Sequence, residues 1–202
     1  MSKSFRDEPP RYLAARRIAE RSEAELPLPR VIRRRPRDGD VHPLSPKILR
    51  FLLKTDVPKE FLYGLKSIEL RERRDRQIGQ PYGEYRPDER VIVLYSLPTV
   101  WVVSASNTSS LALLTSYGAM HTTIASGVEI SWKNHVDIAT WFFIDVVAHE
   151  LGHHYRNQYR ISVGPHGSTL HEEWQAELRS RRIGARIYAR REAKRLSAKS
   201  DT

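Results

Sequence analysis

The segment AHELGHH, Ala148 to His154, holds the residues best suited to chemistry. His149 and His153 stand four apart, so on a helix their imidazoles share one face, one turn apart, and can meet at a single metal ion. Glu150 follows the first histidine directly. It points to the side of such an ion, where it can take a proton from a water held there. The motif ends a strongly apolar run with Ile138, Trp141, Phe142, Ile144, Val147 and Ala148, and no proline interrupts it. A helix this apolar is buried over most of its surface, and polar residues at its end are poorly explained as decoration. Gly152, between the two histidines, lets another element approach closely or eases helix bending.

A hydrolytic metal site of this kind needs a third protein ligand and an open position. The chain has no cysteine, which excludes thiolate ligands, cysteine nucleophiles and disulfides together. The third ligand must come from His154, His166, His171, Glu172, Glu173 or Glu177. His154 points about 100° away from His153 on the helix. A Gly and a His three and six residues beyond the second histidine are absent, those places holding Arg156 and Tyr159. Glu173 is the stronger choice, because Glu173 and Glu177 share one helical face. One can then bind metal while the other hydrogen-bonds a ligand histidine. Zinc, one ion per chain, suits such imidazole and carboxylate ligands. An oxyanion donor is also needed, and Tyr155, Tyr159, His166 and His171 are the candidates. Asp145, one turn before His149, reads first as a helix-surface carboxylate.

His149-Glu150-Leu151-Gly152-His153, followed twenty positions later by Glu173, resembles the gluzincin class of zinc metallopeptidases, over about residues 84–190. That class carries an acidic residue four beyond its Glu ligand. Glu177 matches the place, although Asp is usual there. The resemblance, with size pointing to the compact minigluzincins, implies an α+β fold: a small zincin-like domain whose mixed twisted sheet packs on an active-site helix and a C-terminal glutamate helix. It also implies a peptide or protein substrate held by an exposed edge strand, a part assigned to the hairpin at Ala119 to Trp132. Hydrolysis would proceed without a covalent intermediate, with Glu150 as general base. If His166 or His171 were the third ligand instead, the site would resemble three-histidine proteases that act on DNA-bound proteins.

The elements that must position these residues are partly legible. Residues 1–43 read as a basic Pro/Arg-rich extension, with a short helix from Tyr12 to Glu25 and no core pattern in LPLPRVIRRRPRDGDVHP. Such an extension could cover the cleft and hold an enzyme latent. Residues 44–202 read as one domain. Ser45 and Pro46 suit the cap and first position of a helix with Ile48, Leu49, Leu52 and Leu53 as its stripe. Strands are expected over Leu65–Leu70, Arg90–Leu97 and Val100–Val103, then a hairpin about Ser126-Gly127. A buried helix from Asp137 carries the motif, and a second long helix runs from about Leu170 to Lys194.

The net charge of +10 is uneven. Residues 1–50 hold thirteen Lys/Arg against seven Asp/Glu, residues 179–202 nine against two, and residues 51–178 twelve against fifteen. The plain reading is a solvated tail and a solvated helix face. The sharper one is attraction to nucleic acid or an acidic partner, as in a regulatory protein without hydrolytic activity. No apolar leader is visible at MSKSFRDEPPRYLAARR, and the longest apolar stretch, Val91 to Ala105, is too short to span a membrane. A cytoplasmic address and no membrane partner are therefore expected.

Overall fold

Residues 27–73, 81–159 and 169–200 are described in the structure, a computed structural model. The chain is α+β. Strands β1 (Arg30–Arg33), β3 (Ser67–Arg71), β5 (Val91–Tyr95) and β4 (Gly83–Arg86) form a mixed sheet in the order β1-β3-β5-β4. The first three are parallel, and β4 runs antiparallel to β5 along the outer edge. A two-residue pairing of β2 (Asp40–Val41) with β6 (Leu97–Pro98) ties the N-terminal segment down. A separate antiparallel sheet holds β7 (Trp101–Val103), β9 (Gly127–Trp132) and β8 (Ala119–Ile124), in the order β7-β9-β8.

Five helices complete the described fold. Helix α1 (Pro46–Thr55) starts at Ser45, whose hydroxyl accepts from the Ile48 N–H at 3.3 Å. It buries Leu49 and Leu53, while Ile48 is exposed. Helix α2 (Thr108–Ser116) precedes the hairpin. Helix α3 (His135–Trp141), capped by Asn134, runs without a break through a π-helical turn (Phe142–Val147) into α4 (Ala148–Gln158). Helix α5 (Thr169–Ser200) packs on α4. None of the described helices is long and apolar enough to cross a membrane.

One face of the mixed sheet meets the helices through Val31, Ile68, Leu70, Ile92 and Leu94, in a core shared with Phe61, Phe142 and Phe143. The alternate residues lie on the other face, yet Val91 and Val93 are buried there too. The register explains this: Val93 stands opposite both Glu69 and Glu84. Each glutamate pairs with an arginine two residues on, Arg71 and Arg86, and the aliphatic stems of such pairs can cover a valine while their heads stay wet.

The structure bears on two expectations. Within the extension expected through residue 43, Arg30–Arg33 forms an edge strand of the mixed sheet. RVIR lacks a long apolar pattern because a parallel edge strand needs only one residue, here Val31, to face the core. Residues 1–26, including the helix expected from Tyr12 to Glu25, lie outside the described residues. The hairpin forms as expected, but it belongs to the second sheet. The edge strand running beside the AHELGHH helix is β4, whose Gly83 approaches Glu150.

Candidate metal centre

Side chains spaced four apart along the π-helical turn and α4 form rows, each meeting a different neighbour. Leu151 and Tyr155 enter the core. Val146, Glu150 and His154 face β4. His149 and His153 face the start of α5, where Glu173 stands.

The rings of His149 and His153 meet edge to face, with centroids 4.7 Å apart and planes at 81°. Their Nε2 atoms converge to 3.0 Å. Glu173 brings Oε2 to 3.0 Å from His149 Nε2 and Oε1 to 3.5 Å from His153 Nε2. Among the described residues this is the one such group of potential metal ligands. Tetrahedral ligands about 2.0–2.1 Å from zinc stand about 3.3 Å from each other, and the three observed separations bracket that spacing. A single ring proton can bridge only one of these contacts, whereas a cation at their centre satisfies all three. The donor set therefore fits zinc.

Gly152 is what lets the two helices come together. A Cβ on it would lie 2.6 Å from the Ala176 carbonyl oxygen and 2.9 Å from the Ala176 Cα. Glycine at this crossing brings α5 close enough for Glu173, one turn before Ala176, to reach the histidines. Close approach, and not bending, is its role here.

Glu150 lies one row round from the ligands and is almost fully buried. Gly83 makes room for it: a Cβ there would come within 3.1 Å of Glu150 Cγ and 3.0 Å of Val146 Cγ1. Burial first, then the Glu173 charge, raise the Glu150 pKa to about 8, opposed by a hydrogen bond from the Tyr85 main-chain N–H. His153 is shifted down, by burial and then by its neighbour His149, which favours the neutral ring that metals bind. Burial raises the Asp145 pKa, against a hydrogen bond from Tyr117, and its buried Oδ2 has no hydrogen-bond partner among the described residues. Asp145 is thus half-buried beside the site, not the surface carboxylate its sequence context suggests. Glu177 meets Arg181 at 3.4 Å and bears on Asp145 through its charge.

Tyr155 and Tyr159 stand apart from the ligands. Tyr155 is two residues beyond His153, roughly 200° round the helix, and it packs between Phe61 and Tyr159, each at 4.6 Å. The Tyr159 hydroxyl donates to the Glu60 carbonyl at 3.0 Å. Both tyrosines are core residues. His166 and the side chain of His171 lie outside the described residues. Sequence reasoning missed Gly83, Tyr85 and Tyr63, which reach this region from distant parts of the chain and leave no periodic trace. No protein-family model matches this sequence, and no curated protein or solved structure matches it either.

Proposed function

We propose that this chain is a zinc-dependent peptidase of the gluzincin type, with a zincin-like fold. One observation carries the reading: His149, His153 and Glu173 converge on one point while Glu150, a buried carboxylate, stands one residue away on the same helix. His149, His153 and Glu173 would hold the ion. Zinc bound there would supply Lewis-acid polarisation of a scissile carbonyl and ease deprotonation of a water. Glu150 takes the proton from the attacking water and passes it to the leaving amine.

Among the described residues no strand pairs with the outer edge of β4, and that edge gives an extended peptide its place. Tyr95 N–H bonds the Tyr82 carbonyl, so in the antiparallel ladder Gly83 and Tyr85 turn their main-chain groups away from β5. A peptide lying along that edge can pair with the Gly83 main chain and the Tyr85 carbonyl, the Tyr85 N–H being committed to Glu150. A basic nucleic-acid-binding protein remains the rival reading for the charged ends, but it leaves Glu150 without a task. The three-histidine reading rests on His166 or His171, whereas Glu173 already stands at the cluster.

The test is hydrolysis of casein by the purified full chain beside Glu150→Gln. The variant should keep its zinc and lose activity by about 10²- to 10⁴-fold, the worth of a positioned general base. An active Glu150→Gln, or an active metal-free protein, would sink the proposal.

A further inference from the structure

The row of α4 that faces β4 contains more than Glu150. His154, one turn on, is fully buried. Its Nε2 lies 3.0 Å from the Tyr63 carbonyl oxygen. A carbonyl can only accept, so Nε2 carries the ring's proton and Nδ1 is bare. The Tyr85 hydroxyl lies 3.1 Å from Nδ1 and donates to it. The same hydroxyl oxygen, its proton committed, accepts from Asn157 Nδ2 at 3.2 Å. Each donor in this chain has one acceptor, and the roles follow from chemistry alone. The Tyr85 and His154 rings also meet edge to face at 5.2 Å.

Tyr85 is therefore held from both ends. Its side chain is anchored to α4 and, through His154, to the turn at Tyr63. Its main-chain N–H turns to the side of β4 away from β5, and there it hydrogen-bonds the Glu150 carboxylate, whose Cγ lies against Gly83 of the same strand. The spacing on the helix matches: Glu150 and His154 are four apart, so one strand residue can reach both. We propose that Tyr85 is a positioning residue, which the Asn157–Tyr85–His154–Tyr63 hydrogen-bond chain locks against α4 so that its main-chain N–H fixes the Glu150 carboxylate beside the metal ligands. The positioning role rests on the peptidase reading above; the clamp itself rests on the hydrogen bonds.

Amide hydrogen exchange of residue 85, measured by NMR on the metal-free full chain, tests the clamp without any activity. An edge-strand N–H with no strand partner exchanges fast unless something holds it. It should be protected in the wild type and exchange at least about tenfold faster in Glu150→Ala. Tyr85→Phe keeps the amide and removes only the hydroxyl. Asn157→Ala, at an exposed position, removes only the last donor. Both should accelerate residue 85 by about fivefold or more while Val93 and Tyr95, on the β5 side of the ladder, stay protected. In the zinc-loaded protein, Tyr85→Phe should lower kcat about tenfold with KM within about twofold and zinc content unchanged.

Unchanged exchange at residue 85 in Tyr85→Phe would overturn the clamp. So would equal acceleration at Val93 and Tyr95, which would mark general loosening of the sheet. Clamp behaviour with an unchanged kcat would overturn the positioning role. A protected residue 85 in a zinc-loaded wild type that hydrolyses nothing would overturn the peptidase reading and leave the clamp standing.

Discussion

Position 152 shows how much one missing atom decides. Alanine there would gain up to about 1 kcal/mol of helix propensity. Its Cβ would also strike the backbone of α5, which cannot swing aside as a side-chain end can, and overpacking of that kind costs about 1–3 kcal/mol. Gly152→Ala should therefore move α5 outward, lower the thermal midpoint and weaken zinc binding by about tenfold or more, an effect of about 1.4 kcal/mol at the least. Thermal unfolding with and without zinc checks this. His154 makes a second prediction. Burial lowers its pKa from 6.5 to about 4, so between those values the unfolded chain binds a proton at this ring and the folded chain does not. Its contribution to stability is complete above pH 6.5 and drains away as pH falls toward 4. Between pH about 7.5 and about 5 the metal-free wild type should lose about 2 kcal/mol more than His154→Gln, read by urea unfolding. At this scale the sequence is most informative where spacing is local. His149, Glu150 and His153 are legible because a helix turns four residues into neighbours. Tyr63 and Tyr85 contact His154 from 91 and 69 residues away, and no local pattern can announce that.

Among the elements, those with a periodic apolar pattern match their expected places closely. The capped helix at Ser45, the hairpin about Gly127 and the long C-terminal helix all form near the predicted bounds. Edge strands are harder to read. GEYR and RVIR each show one side to the core or the helices and the other to water, so neither carries a long run of apolar residues. The π-helical turn before AHELGHH is equally silent, because an added residue per turn leaves an apolar stretch looking continuous. The residues it contains nonetheless matter to the site. Asp145 lies within it, and the Ala148 N–H reaches back to the Phe143 carbonyl, five residues earlier.

Across the whole molecule, α5 must be held in register along its length if Glu173 is to sit over the histidines. Near its other end, Arg190 reaches Asp56 at 2.8 Å, just past α1, with Thr55 donating to the same carboxylate oxygen at 3.0 Å. The Asp56 side chain is only 2% exposed. Arg190→Met leaves that charge buried and unpaired, which should cost about 3 kcal/mol, the lower end for a broken buried pair because Arg190 itself is partly wet. The double change Arg190→Met with Asp56→Asn should recover part of the loss in urea unfolding. A neutral Arg190→Met would show that the anchor is dispensable. The basic excess of the C-terminal segment is thus not all a solvated face, since one of its arginines is structural.

Zinc stoichiometry of the purified full chain, wild type beside Glu173→Ala, tests the central claim most directly. The account predicts about one zinc per chain in the wild type, as three protein ligands and an open position require, and loss of most of it in Glu173→Ala. Zinc retained in Glu173→Ala would move the third ligand elsewhere, and a wild type that binds none would contradict the metal centre itself.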